Sequence, residues 1–196
     1  MTRLSNNDTH PWQAERISDG TIDNSLSAFW FREGTPIQPL LHAMKYGKTR
    51  GVGIMLGRYL GSKIGSMPGE LFNYIIPVPL HKAKYRDRTF NQSEFIAKGV
   101  SQIINTPILK DGISRTRFTG TQTKLSKPER KENVSGAFEV NPKHTENIRG
   151  KNIILIDDVI TTGATILECA SVLKKTGAGK VWICSAAYAE LKINVV

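Results

Sequence analysis

Residues 153–165 read Ile153-Ile154-Leu155-Ile156-Asp157-Asp158-Val159-Ile160-Thr161-Thr162-Gly163-Ala164-Thr165. Four aliphatic side chains run directly into two adjacent carboxylates, and a Thr/Gly loop then opens a stretch with helical apolar spacing. The aliphatic run has the length and branching of a strand buried on both faces of a parallel sheet. Such a strand delivers its acids and its loop to one edge of an open α/β sheet, where these folds bind ligands. Carboxylates suit ribose hydroxyls, and backbone N–H groups with threonine hydroxyls suit a phosphate. The run therefore points to a sugar phosphate, with both acids reaching the ligand edge where the strand ends, at about residue 156.

The remaining elements fit around this strand. Residues 1–25 are polar and without sustained period, the pattern of a frayed or loosely docked arm. Ser27-Ala28-Phe29-Trp30-Phe31 reads as a short aromatic strand. Pro36 sits at a helix start, with Leu40, Leu41 and Met44 at helical spacing up to Gly47. A second helix carries Met55, Leu56, Tyr59, Leu60 and Ile64, and ends near Gly65. Tyr74-Ile75-Ile76-Pro77-Val78-Pro79 is a buried strand stopped by two prolines, which remove ladder donors. Residues 93–104 form a helix; 113–116 and 138–140 are weak strands, and 181–187 is an apolar strand. Strand–helix–strand alternation with a short turn at 177–179 predicts a parallel sheet with right-handed crossovers.

The loop 159–165 has a logic of its own. N–H groups that precede a helix lack intrahelical partners and point along a favourable dipole, so an anion satisfies both. Gly163 permits close approach or positive φ, and Thr161, Thr162 and Thr165 add hydroxyls. This is a monophosphate cradle. A Walker loop is absent: Gly179-Lys180 is followed by Val181 and has Lys174 where a glycine belongs. The formal charge is +10, and residues 80–131 hold twelve Lys/Arg against four Asp/Glu, whereas the chain from 132 onward is neutral. Such concentration implies a polyanionic partner: pyrophosphate, a nucleotide or a nucleic-acid backbone. Cys169 and Cys184 lie in apolar-periodic segments and read as small buried hydrophobes. No C-x-x-C occurs and the four histidines are scattered, so no structural metal site is expected. No stretch is apolar enough to span a bilayer and no signal-peptide core is present, so a cytoplasmic protein without membrane contact is expected.

The run 153–165 resembles, throughout its length, the PRPP-binding motif of the type I phosphoribosyltransferases. A second set of residues is similar to the ComF family: Val78-Pro79-Leu80-His81, Arg88-Thr89-Phe90-Asn91-Gln92-Ser93-Glu94, Thr121-Gln122-Thr123 with Leu125-Ser126, Arg130, Asn133 and Phe138, and Lys45-Tyr46 with Lys48. The resemblance extends from about Phe29 to Ala189. It implies an α/β fold of the type I phosphoribosyltransferase kind, a parallel sheet flanked by helices with a small N-terminal hood. The expected division is an arm over 1–25, a hood over 26–66 and a core over 71–190 with a mobile loop at 117–133.

The same resemblance assigns residues. Asp157 and Asp158 would hold the ribose hydroxyls, Thr161, Thr162, Gly163, Ala164 and Thr165 would wrap the 5-phosphate, and Val159 would belong to the same PRPP site. Leu80, His81 and Lys82 follow the first buried strand where a pyrophosphate loop belongs, and Arg88, Asn91 and Gln92 precede a helix at the same edge. Asn91 or Ser93 would also cap that helix. Lys124, Lys127 and Arg130 of the basic loop would screen charge on leaving pyrophosphate, with Asp157, Asp158, Lys124 and Arg130 as the catalytic group. Mg²⁺ would arrive on PRPP, held mainly by pyrophosphate and ribose oxygens as hard cations prefer. The expected partners are PRPP, a nitrogen nucleophile that the sequence does not name, and a second copy of the chain in a homodimer. A second reading, a ComF-type competence protein binding single-stranded DNA, draws on the same basic block and on Tyr85, Phe90 and Phe118 within it. Many ComF-like chains carry an N-terminal four-cysteine zinc module, which is not expected here, nor is a glutaminase activity.

Overall fold

The computed structural model describes residues 10–32, 34–46, 49–80, 90–116 and 134–189. Four strands, β1 (Asn24–Trp30), β2 (Tyr74–Pro77), β5 (Ile153–Ile160) and β6 (Val181–Tyr188), form one sheet in the order β1-β6-β5-β2. Every pairing in it is parallel. All four carboxyl ends therefore meet at one edge, as the alternation of elements predicts. Two short strands, β3 (Ile113–Arg115) and β4 (Phe138–Val140), pair antiparallel beside it.

Alternation along β5 divides the core in two. Ile153 and Leu155 join Val181 and Ile183 on one face, covered by Ile166, Cys169, Ala170 and Leu173 of helix α6 (Ala164–Lys175). Ile154 and Ile156 join Trp182 and Cys184 on the other, covered by α2 (Ile37–Tyr46), α3 (Arg50–Gly65) and α4 (Gln92–Ile104). Both cysteines are buried, as their apolar setting suggested. The stretch 26–66, expected as a hood, supplies the edge strand and two helices of this second layer: Leu26, Phe29, Ile37, Leu41, Met44, Leu56 and Leu60 share its core. Helices α3 and α4 touch backbone to backbone. A β-carbon on Gly57 would lie 2.1 Å from the Ile96 carbonyl oxygen, and one on Gly99 would lie 2.2 Å from that of Ile54.

Two expectations change. The strand does not end before the acids: β5 continues to Ile160, so Asp157 and Asp158 lie within it. β2 stops at its prolines opposite Ile156, but β6 goes on pairing with Asp157, Val159 and Ile160, and one neighbour is enough to keep the chain extended. The arm is also structured and packed from His10 onward. Helix α1 (Gln13–Ser18) follows a buried His10, and Ile22 joins the core. Its anchors are hydrogen-bonded polar side chains, which composition reads as solvent-facing.

Candidate functional site

A cleft of about 360 Å³ opens at the carboxyl edge of the sheet. Each strand end contributes to its wall: Phe31 after β1, Val78, Pro79 and Leu80 after β2, the stretch 157–166 from β5 into α6, and Ala189 after β6. Asn91, Gln92 and Ser93 enter from the start of α4, Lys45 from the last turn of α2, and Arg115 from the end of β3.

Asp157 and Asp158 both line the cleft. Asp157 accepts hydrogen bonds from the Ser93 hydroxyl at 3.2 Å and from the Asp158 amide at 2.8 Å. Burial first, and the charge of Asp158 second, push its carboxyl up to about 7. Both causes disfavour the charged form. Asp158 accepts from the Val159 amide at 2.7 Å and forms an ion pair with Lys45 at 3.1 Å. With 14% of the Asp158 side chain and 23% of the Lys45 side chain exposed, the pair is shielded more than a surface bridge. Arg115 lies partly buried near Asp157, with its guanidinium carbon 5.1 Å from the Phe138 ring centre; burial lowers its pKa.

The loop beyond β5 turns at Gly163, which has φ +79 and stands at the N-cap of α6. Gly163 has no side chain to cap this helix, and the Ala164 N–H donates to Thr162 Oγ1 at a long 3.4 Å. The first turn of the helix lines the cleft, where its N–H groups and dipole suit an anion. Asn91 connects the opposite wall to the sheet. Its Nδ2 donates to the Val78 carbonyl at 2.9 Å, while its Oδ1 accepts the Ser93 amide at 3.1 Å as the cap of α4.

The family profile described as the phosphoribosyl transferase domain matches residues 91–192, more than half of the chain. The chain belongs to the phosphoribosyltransferase-domain family. It is similar to the DNA utilization protein YhgH of Shigella flexneri, 31% identical over 152 residues, covering 76% of this chain and 65% of that protein. It is also similar to competence protein F of Haemophilus influenzae, 33% identical over 109 residues, covering 56% of this chain and 47% of that protein. These relatives agree with the ComF resemblance of the motifs. Among solved structures, the B. subtilis glutamine phosphoribosylpyrophosphate amidotransferase is 18% identical with a TM-score of 0.47, over 74% of this chain and 30% of that one.

Of the residues singled out from sequence, Asp157, Asp158, Val159, Thr161, Thr162, Gly163, Ala164, Thr165, Leu80, Asn91 and Gln92 all line the one cleft. His81, Lys82, Arg88, Lys124 and Arg130 lie outside the described residues. Four more lining residues had no role of their own assigned from the sequence. Lys45 and Ser93 stand in the ComF-like motifs, Ser93 also as a cap; Arg115 opens the basic stretch at the end of a weak strand, and Phe31 belongs to the aromatic strand. Tertiary packing brings each of them to the cleft.

Proposed function

We propose that the cleft binds PRPP and supports transfer of its phosphoribosyl group to a nitrogen nucleophile, with release of pyrophosphate. The observation that carries this reading is the convergence of two carboxylates and a helix N-terminus at the carboxyl edge of one parallel sheet. Asp157 and Asp158 would hold the two ribose hydroxyls. Residues 161–165 would hold the 5-phosphate on backbone N–H and threonine hydroxyl donors. Leu80, with the residues that follow it, would face pyrophosphate. As the C1–O bond to pyrophosphate breaks, positive charge grows on the ribose and the acceptor nitrogen adds at C1 with its lone pair. The contribution of the protein is positioning and electrostatics.

Mg²⁺ would enter with PRPP. The two aspartates are hard oxygen donors, and among the described residues no group of three or more candidate ligand side chains surrounds them. That donor set fits an ion held chiefly on substrate oxygens, where it offsets pyrophosphate charge. The acceptor would meet the Phe31 ring and the Lys45 side chain, which also line the cleft. No described helix is long and apolar enough to cross a membrane, which suits a cytoplasmic role.

Titrating PRPP·Mg into the wild type and into Asp157→Asn/Asp158→Asn by calorimetry tests the site. Binding by the wild type that the double variant loses supports it, and equal binding overturns it. Pyrophosphate release across purine, pyrimidine and amine acceptors tests transfer. A second reading, single-stranded DNA handling, draws on the names of the relatives and on the basic block 80–131. It requires an affinity that falls steeply with salt, and absence of binding at low salt removes it.

A further inference from the structure

Gly163 is confined from behind. A β-carbon there would lie 3.0 and 3.1 Å from Cε2 and Cζ2 of Trp12, and 3.1 Å from Leu167 Cδ1. Gly163 lines the cleft but Trp12 does not, so the indole backs the turn from the side away from the ligand. The same indole packs against the core cluster that contains Ile160 and Ile166, the residues flanking the loop.

Trp12 is itself held in place. Its ring stacks on His10, with centres 4.7 Å apart and planes 4° from parallel, and His10 meets Tyr188 edge-on at 4.6 Å. His10 Nδ1 lies 2.6 Å from Ser25 Oγ, and Nε2 lies 2.9 Å from Ser27 Oγ. The donors can be assigned in sequence. The Ser25 amide donates to Asn24 Oδ1 at 2.8 Å, which orients that oxygen; Gln13 Nε2 donates to it at 3.0 Å. Gln13 Oε1 is then left to accept the Ser25 hydroxyl at 2.6 Å. Ser25 has no second hydrogen to give, so His10 carries its proton on Nδ1, and Nε2 faces Ser27 Oγ, which also lies 2.6 Å from Ser185 Oγ. Burial lowers the His10 pKa to about 4, which keeps the ring neutral. The support runs from β1 through His10 to Trp12 and on to the turn at Gly163.

Trp12 Nε1 is buried and has no hydrogen-bond partner among the described residues. An unmet donor gives no stabilisation, so what the position uses is the flat ring.

We propose that Trp12 is a positioning residue for the phosphate loop: its ring, braced by His10, holds the left-handed turn at Gly163 that presents the loop N–H groups to a phosphate. The inference rests on the reading of the cleft as a PRPP site. It makes the N-terminal segment a working part of that site, acting through Gly163 without touching the ligand. Loss of the ring leaves the loop free to relax, and binding must then restore the turn.

The test uses the full chain and two ligands that engage different ends of the cleft, ribose 5-phosphate and pyrophosphate·Mg, titrated into the wild type, Trp12→Phe and Trp12→Ala. Trp12→Phe keeps a ring and removes the unmet N–H, and binds both ligands within about three-fold of the wild type. Trp12→Ala loses about ten-fold or more in ribose 5-phosphate affinity and holds pyrophosphate·Mg unchanged. If Trp12→Ala does not fold by circular dichroism, Trp12→Leu takes its place with the same selective loss expected. Ribose 5-phosphate affinity unaffected by loss of the ring overturns the inference. So does an equal loss for both ligands, which marks a general disturbance of the edge. A wild type that binds no ribose 5-phosphate overturns the underlying reading of the cleft, and the inference with it.

Discussion

Asp157→Asn should make the protein more stable while removing its ligand. The Asp157 carboxyl is raised from an ordinary value of 3.8 to about 7, by burial first and by its neighbour Asp158 second. Asparagine is nearly isosteric, and its Oδ1 can still accept the Ser93 hydroxyl and the Asp158 amide that Asp157 accepts now. Its new N–H donors replace an acceptor in a side chain that lines the open cleft. The substitution thus removes charge and leaves packing and hydrogen bonds largely in place.

The sign follows from proton linkage. Between the unfolded and folded pKa values the native state binds more protons than the unfolded chain, so wild-type stability falls as pH rises. Below about pH 4 both states are protonated and the carboxyl costs nothing relative to the amide; above about pH 7 the full cost applies. Each pKa unit corresponds to about 1.4 kcal/mol, so the cost at pH 8 is at most about 4 kcal/mol, and about 3 kcal/mol of it develops between pH 5 and pH 8. Urea unfolding of both proteins at those two pH values reads the difference directly. The midpoint advantage of Asp157→Asn should widen by about 1 M on going from pH 5 to pH 8. Effects of titrating groups remote from the Asp157–Asp158 pair cancel in the comparison to first order. An advantage independent of pH, or a variant less stable than the wild type at pH 8, would refute the reasoning.

Three further perturbations reach other parts of the structure. Asn91→Ala removes both the α4 cap and the link to the Val78 carbonyl, and should lower stability by about 1–2 kcal/mol in urea titrations. Gly57→Ala drives a methyl group into the Ile96 carbonyl, and should cost about 3 kcal/mol, with a drop in the melting temperature that Ser62→Ala on the exposed side of the same helix does not share. Lys45→Met keeps the stem of the side chain but strips Asp158 of its ammonium partner; a stability loss of about 2 kcal/mol and weaker PRPP·Mg binding are expected by denaturation and calorimetry.

Which parts of the site were legible in sequence depends on how far its residues are spread along the chain. The acids and the phosphate loop are consecutive, and the aliphatic run before them marks the strand that carries them, so residues 153–165 could be read directly. The helices over 37–46, 50–65 and 92–104 showed through their apolar spacing, because each buries one face. The continuation of β5 to Ile160 did not show. Charged residues look like the end of a strand unless a neighbour is known to keep pairing, and that neighbour, β6, comes later in the chain. Lys45 reaches Asp158 from more than a hundred residues away, and Trp12 reaches Gly163 from still further. The anchors of the N-terminal segment were the hardest to see. His10, Gln13, Ser25 and Ser27 are buried in a mutually satisfied network, and burial of that kind leaves no hydrophobic period.

The two carboxylates also explain why this edge is built from so many elements. A buried carboxylate beside another is a local source of instability, and the fold holds it with groups drawn from separate parts of the chain: Ser93 from α4, Lys45 from α2, and the amides of β5 itself. A sheet edge needing only a surface acid would require none of them. Proteins retain such destabilised clusters where charge must be in place before a ligand arrives, because reorganising it at the moment of binding would cost more. A more stable Asp157→Asn that no longer binds PRPP·Mg would show that the instability belongs to the site's function. A more stable variant that binds as before would leave the buried charge without a role, and the proposed function without its central residue.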